Sequence, residues 1–83
     1  MYQIEWTKKA LDNLYELDNF ISQRIAKKIN ELSINPFFND VKRLKGIHGY
    51  RLRIGDYRVI FDIEGDSIFI LKIGHRKNIY KKL

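Results

Sequence analysis

The chain has 83 residues, of which 45% are apolar and none is cysteine, and its formal net charge is +6. This length and composition predict one soluble domain over residues 1–83, and they exclude a disordered chain, disulfides and thiolate metal sites, which favours a cytoplasmic location. No apolar run is long enough to span a membrane, and the N-terminus lacks a signal-peptide pattern. The excess of basic residues points to a polyanionic partner such as nucleic acid.

The first half of the chain predicts a strand followed by a helical hairpin. Residues 2–6 alternate around Ile4, as in a short strand, and Thr7 can then cap a helix. Apolar residues recur at helical spacing in two stripes, Ala10, Leu11, Leu14 and Leu17 and then Ile21, Ile25, Ile29 and Leu32. Asn35-Pro36 ends the second helix, so the two helices are expected to pack as a hairpin.

The second half changes to the period of β-strands. Residues 41–45 are weakly strand-like, residues 50–54 and 57–63 alternate, and residues 67–73 are continuously apolar, as in a central strand. A basic tail after Gly74 is expected to form a short helix. The predicted fold is therefore α+β, with an N-terminal strand and a helical hairpin packed on an antiparallel sheet of about four strands, and a short C-terminal helix.

The sequence Gly55-Asp56 predicts a hairpin that gathers three arginines on one face of the sheet. A Gly-Asp pair between two strands suits a type II′ turn, and this turn pairs Arg53 with Arg58. Because side chains alternate along a strand, Arg51 then shares a face with these two arginines. The opposite face is apolar and is expected to be core: Tyr50, Leu52, Ile54, Tyr57, Val59, Phe61 and Ile63.

The cross-strand pair Arg53–Arg58 carries the functional argument. Like charges placed directly opposite each other destabilise a sheet by up to about 1 kcal/mol. An anionic ligand would turn this cost into binding energy, because each guanidinium can fork onto phosphate oxygens. The alternative is that both side chains splay into solvent, or that Asp62 on the same face neutralises one of them.

Residues of the tail and of the weak strand extend this cluster. Arg76 follows the long apolar strand, and Tyr80 would share a helical face with it. Tyr80 could equally anchor the tail in the core, and His75, the histidine beside the cluster, could be a structural residue. Four basic residues are expected to bind the RNA backbone without taking part in catalysis: Lys42, Arg43, Lys45 and Lys77.

Other chemistries have little support in the sequence. It contains no glycine-rich phosphate loop, no His, Asp and Glu at metal-ligand spacing, and no pattern of a serine or cysteine triad. We therefore expect any catalysis to need neither a metal nor another cofactor.

The chain resembles the RelE/ParE superfamily of type II toxins over nearly its whole length, most specifically in the runs VKRLKGIHGYRLRIGDYRVIFDIE and ILKIGHRKNIYKKL. The resemblance implies the RelE-like fold and a ribosome-dependent endoribonuclease that cuts mRNA in the A site by attack of a 2′-hydroxyl, which leaves a 2′,3′-cyclic phosphate and inhibits translation. It also implies a cognate RelB-like antitoxin, and a toxin–antitoxin complex that binds operator DNA.

Carried over by resemblance, Arg51 and Arg53 stand where well-known RelE members have lysines, and Arg58, Arg76 and Tyr80 match the family's arginines and C-terminal tyrosine. Fixed guanidinium groups can stabilise the charge of a phosphorane without a metal. Arginine cannot act as a base, however, so the proton of the 2′-hydroxyl needs another acceptor. The split that we expect has Tyr80 as base and His75 as acid, with stacking on the A-site base as the alternative for Tyr80.

Two other functions stay open at this point. ParE-like toxins have the same fold and block DNA gyrase, although they generally lack the cluster of basic residues and tyrosine. A catalytically weak relative that acts as a binding module is the second alternative, because arginines replace lysines at positions 51 and 53.

Overall fold

A computed structural model describes residues 1–38, 40–45 and 49–80. Two helices lie on one side of a sheet whose five described strands have the order β1-β5-β4-β3-β2. The predicted α+β class is confirmed, with five strands in place of about four. In chain order the elements are β1 (Gln3–Trp6), α1 (Lys8–Tyr15), α2 (Asn19–Leu32), β2 (Val41–Arg43), β3 (Tyr50–Ile54), β4 (Tyr57–Glu64) and β5 (Ser67–His75).

The sheet is mixed: its four strands β2 to β5 are antiparallel as expected, and the N-terminal strand β1 adds a parallel neighbour. β1 pairs with β5 in parallel, whereas the β2–β3, β3–β4 and β4–β5 pairs are antiparallel. Parallel neighbours need a crossover connection, and the whole helical hairpin lies between β1 and the remaining strands. β5 is thereby enclosed between β1 and β4, in agreement with its mostly apolar sequence.

Both helices begin at capping side chains. Oγ1 of Thr7 accepts a hydrogen bond of 3.2 Å from the backbone N–H of Ala10 and donates one of 2.8 Å to the carbonyl oxygen of Ile70, so the predicted cap also ties α1 to β5. Oδ1 of Asp18 accepts from the N–H of Ile21 at 3.1 Å. Neither helix in the described part of the chain has the length and apolar character needed to cross a bilayer.

One apolar cluster joins the helices to the sheet. Its residues from the helices are Ala10, Ile25, Ile29 and Leu32, and those from the sheet include Leu52, Val59, Phe61, Ile68 and Ile70, all with 0% exposure. Truncation of a buried phenylalanine such as Phe61 to alanine costs about 3–5 kcal/mol. Because this cluster occupies one face, the other face of the sheet is left for the arginines.

The tail after β5 differs from the prediction. Residues 76–80 form turns and no helix, and residues 81–83 lie outside the described part of the chain. The N–H groups of Asn78 and Ile79 both donate to the carbonyl oxygen of His75, at 2.9 and 3.0 Å. Ile79 is 1% exposed, so burial of this one side chain holds the turn against the sheet.

Candidate nucleic-acid interface

The β3–β4 hairpin has the predicted register. Arg53 stands directly opposite Arg58. Gly55 has a φ of +57° and Asp56 has a negative φ, as a type II′ turn requires. Arg51, Arg53 and Arg58 therefore share the side of the sheet that faces away from the helices, which we call the arginine face.

Asp40 is one carboxylate that neutralises part of this charge. Its Oδ1 lies 3.1 Å from Nη2 of Arg53, and its Oδ2 lies 3.5 Å from Nζ of Lys28 in α2. The hydrogen bond from Arg53, and the nearby charge of Lys28, hold the pKa of Asp40 below its ordinary value. Sequence reasoning had considered Asp62 for this task and missed Asp40, which immediately precedes β2 beside the Arg53 backbone.

Arg51 and Lys42 face each other across β3 and β2. Together with Asp40 and Arg53 they line an open cleft of about 230 Å³, which we call the face cleft. On the other side of Arg51, the cross-strand neighbour Ile60 is buried at 2% exposure. The face cleft thus sets three cations around one carboxylate, an arrangement suited to an anionic ligand.

The guanidinium of Arg58 is held at the hairpin turn. Its Nη1 donates to the carbonyl oxygens of Gly55 and Tyr57, at 2.8 and 2.9 Å. A guanidinium carries five N–H donors in a fixed fork, so anchoring through Nη1 leaves other donors for a ligand. The turn therefore fixes the orientation of the Arg58 guanidinium.

Arg76 is tied to the same turn. Its backbone N–H donates to the carbonyl oxygen of Asp56 at 2.8 Å, and its Nε lies 3.6 Å from Oδ1 of that residue. Arg53 on β3 and Arg58 on β4 flank this turn. The hairpin end therefore brings together three arginines, of which Arg76 is distant in sequence from the other two.

The tail brings Tyr80 to the arginine face. Gly74 stands opposite Arg58 in the β4–β5 pairing, and a Cβ atom added there would lie 3.2 Å from Cδ1 of Ile79. Nζ of Lys72 donates to the carbonyl oxygen of Ile79 at 3.0 Å. Ile79, and not Tyr80, anchors the tail, and Tyr80 is 41% exposed beside it.

The structure separates His75 from the arginines. His75 pairs with Tyr57, and their ring centroids are 5.6 Å apart at 76°. Tyr57 packs against the core cluster, so His75 lies on the helix side of the sheet. Its Nδ1 accepts from the N–H of Lys77 at 3.1 Å.

A β-bulge explains this position of His75. The β4–β5 register passes from Ile60–Lys72 to Phe61–Ile70, so Leu71 is an extra residue in β5. An extra residue reverses which face the following side chains occupy. With strict alternation from Ile70, His75 would have joined the arginines.

The four residues expected to grip RNA backbone do not share one surface. Lys42 lines the face cleft, whereas Arg43, the next residue along β2, points to the helix side, with its guanidinium carbon 5.9 Å from the ring centroid of Tyr50. Lys45 and Lys77 are exposed.

Sequence reasoning missed Arg24 and Lys28. These residues of α2 line a second cleft, of about 310 Å³, with Asp40, Arg53, Ile54 and Gly55, which we call the edge cleft. Their i, i+4 spacing was the available signal, because it puts two cations on one side of a helix.

Comparison with known proteins gives consistent matches. Residues 4–80 match the family model described as "ParE toxin of type II toxin-antitoxin system, parDE". Toxin RelE3 of Methanocaldococcus jannaschii is 34% identical over 83 residues, which is 94% of each chain. A chain of the RelB–RelE antitoxin–toxin complex from Methanococcus jannaschii superposes with a TM-score of 0.76 at 31% identity, over 95% of this chain and 98% of that one. A chain of the RelE–RelB complex from Pyrococcus horikoshii OT3 superposes with a TM-score of 0.78 at 29% identity, over 93% of this chain and 97% of that one.

Proposed function

Because the chain belongs to the ParE toxin family of type II toxin–antitoxin systems, within the RelE/ParE superfamily, we propose that it is a RelE-like endoribonuclease that cuts mRNA in the ribosomal A site and so inhibits translation. The observation that carries this proposal is the gathering of Arg53, Arg58 and Arg76 around one hairpin turn, beside the face cleft. Such a cluster suits a phosphodiester, since guanidinium forks match phosphate oxygens.

The reaction that fits these residue types is an internal transesterification without a metal. The 2′-hydroxyl attacks the adjacent phosphorus, the bond to the 5′-oxygen breaks, and the products carry a 2′,3′-cyclic phosphate and a 5′-hydroxyl. Negative charge grows on the phosphoryl oxygens in the transition state. Arg58 and Arg76 are proposed to stabilise it, because both are held at the turn before the substrate arrives.

Arg51 and Arg53 are proposed to position the strand. They line the face cleft, where Asp40 fixes Arg53 and where Arg51 has no ion pair among the described residues. Arginine binds a phosphate in a defined orientation but does not exchange its proton. These two residues therefore contribute orientation and charge, and proton transfer falls to other groups.

Proton transfer requires a base for the 2′-hydroxyl and an acid for the departing 5′-oxygen. We propose Tyr80 as the base, because the anchored Ile79 brings it to the arginine face. His75, the acid expected from the sequence, lies on the helix side of the sheet. Lys42 lies in the face cleft and, unlike arginine, can donate a proton, so we propose Lys42 as the acid.

The proposal includes a protein partner and a location. RelE relatives from two archaea form complexes with RelB antitoxins. We propose that a RelB-like antitoxin neutralises this toxin by covering or displacing parts of the arginine face. The complex is then expected to bind operator DNA, and the free toxin to act on ribosomes in the cytoplasm.

The test is primer extension on a translated message after induction of the protein. We expect growth arrest and cuts at fixed positions within codons. Arg58→Ala should abolish both while circular dichroism stays unchanged, and Lys27→Ala on the exposed side of α2 should behave as the wild-type protein. Unimpaired cleavage by the Arg58 variant would contradict the proposed site.

A second candidate is inhibition of DNA gyrase, because the matching family model is named for ParE toxins. Purified protein that blocks supercoiling while translated mRNA stays intact would establish it. If the protein inhibits neither process but binds an antitoxin, it is a binding module that has lost the toxin's activity, as the arginines at positions 51 and 53 leave open.

A further inference from the structure

A second group of cations lies outside the arginine face, at the edge cleft between α2 and the β3–β4 hairpin. Arg24 and Lys28 are one helical turn apart in α2 and line this cleft with Arg53. The guanidinium of Arg24 reaches the hairpin turn itself, since a Cβ atom on Gly55 would lie 3.3 Å from its Nη1. The absence of a side chain at Gly55 therefore leaves room for the Arg24 guanidinium, in addition to permitting the positive φ of the turn.

The edge cleft is short of negative charge. Asp40 serves both Lys28, at 3.5 Å, and Arg53, at 3.1 Å. Arg24 has no ion-pair partner among residues 1–38, 40–45 and 49–80. Three cations thus share one carboxylate, and two cations spaced i, i+4 on a helix repel each other. An anion in the cleft would relieve that repulsion.

We propose that the edge cleft binds a second phosphate of an RNA backbone, so that a strand whose cut phosphate lies on the arginine face continues around the hairpin end to Arg24 and Lys28. Arg53 lines both clefts and connects them. This inference rests on the proposed function, because it extends the same strand beyond the cleavage position.

The chemistry of the cleft favours RNA over a protein segment. Protein interfaces depend on apolar or aromatic anchors that fill pockets, as well as on charge. The apolar side chain that lines the edge cleft is Ile54, which is 5% exposed and already belongs to the core. Ile21 and Tyr57 line an adjoining cleft with Arg24, but the edge cleft's own lining offers cations without an accessible apolar anchor, which suits a chain of phosphates.

The test compares two double variants of the full-length protein that lose the same charge. Arg24→Gln with Lys28→Gln removes the two cations that α2 contributes to the edge cleft. Lys9→Gln with Lys27→Gln removes exposed lysines elsewhere on the helices. The probes are 2′-O-methyl RNAs, which lack the attacking hydroxyl: one of about twelve nucleotides, long enough for both clefts, and a trinucleotide that fills the face cleft alone.

We expect the edge-cleft variant to lose on the order of tenfold in affinity for the longer RNA and nothing for the trinucleotide. The slope of log affinity against log salt should become shallower by about 0.7, because the variant loses one single-strand phosphate contact. Arg24→Gln alone should give about half of this change. It is the safer variant, since it leaves the contacts of Lys28 with Asp40 and with the Phe38 ring intact.

Two sources could supply the phosphate, and a second arm separates them. Co-sedimentation with ribosomes that carry no mRNA should fall for the edge-cleft variant if ribosomal RNA fills the site. It should be unchanged if the mRNA strand does, while binding of the longer RNA still falls. Either result supports a phosphate site, but only the second supports a cleaved strand that continues into the edge cleft, and the first would overturn that continuity.

The inference is overturned if the edge-cleft variant matches its control with both the longer RNA and ribosomes. Loss of binding to an acidic glutamate-rich peptide, with RNA binding retained, would also overturn it and assign the cleft to a protein. The proposed function fails separately: a wild-type protein that binds RNA through Arg24 but leaves translated mRNA intact would refute cleavage and keep the edge cleft.

Discussion

Arg53 is joined to Asp40 twice. Nη2 of Arg53 donates to Oδ1 of Asp40 at 3.1 Å, and the backbone N–H of Arg53 donates to the carbonyl oxygen of Asp40 at 2.9 Å. The backbone bond continues the sheet beyond the start of β2, and the side-chain bond places a carboxylate beside the Arg53–Arg58 pair. This carboxylate offsets part of the like-charge repulsion without covering the arginine face.

The pKa of Asp40 gives the first prediction. Arg53 lowers it below 3.8, so ionised Asp40 stabilises the folded state above that pH, and the contribution disappears as the pH falls through the lowered pKa. Arg53→Gln should raise the pKa of Asp40 toward 3.8, as measured by the carboxyl carbon shift in an NMR titration. Arg51→Gln, which lines the same face cleft without a bond to Asp40, is the control. An unchanged titration midpoint in the Arg53 variant would refute the pairing in solution.

The role of Tyr80 is tested by Tyr80→Phe, which removes the hydroxyl and keeps the ring. If Tyr80 is the base, the cleavage rate measured by primer extension in a translation reaction should fall by about 10²–10⁴-fold. The tail should stay in place, because Ile79 anchors it. Full activity of the phenylalanine variant, together with loss in Tyr80→Ala, would assign Tyr80 to stacking on the RNA base.

We propose Lys42, which lines the face cleft, as the acid in place of His75, which lies on the helix side of the sheet. Lys42→Gln should lower the cleavage rate by about 10²-fold or more, because a positioned acid contributes at least that much. His75→Gln should cleave at nearly the wild-type rate, since the His75 ring faces Tyr57 on the helix side. The opposite pattern would restore His75 as the acid and require the tail to rearrange on the ribosome.

Gly74 is predicted to be required for the position of the tail. In Gly74→Ala the new Cβ atom would lie 3.2 Å from Cδ1 of Ile79, so the Ile79 side chain that anchors the tail must move by a few tenths of an ångström, and we expect a loss of about 1–3 kcal/mol in the free energy of unfolding. Faster amide hydrogen exchange in residues 76–80 and reduced cleavage should accompany it. Adding Ile79→Val removes the crowded methyl group and should recover part of both; no recovery would show that Gly74 acts in another way.

Much of the arginine face could be predicted because its causes are local. A two-residue turn at Gly55-Asp56 fixes which residues of β3 and β4 pair, and alternation then fixes the faces. The cap at Thr7 and the apolar stripes of the helices are local in the same sense. The parallel partner of β1 was not predictable in this way, because no short turn connects β1 to β5.

The sequence by itself determined that Arg53 and Arg58 stand side by side on one face of the hairpin, with the apolar side chains on its other face. This is because a two-residue turn and the alternation of side chains depend only on residues that are close in sequence. Only the tertiary structure decided three further features: that Asp40 pairs with Arg53, that Arg24 and Lys28 of α2 reach the hairpin end, and that His75 lies on the helix side. The first two depend on how separate elements pack. The third depends on one extra residue, Leu71, at the end of the apolar run Ile68-Phe69-Ile70-Leu71. This run hides the bulge, because alternation cannot be seen where successive positions are all apolar.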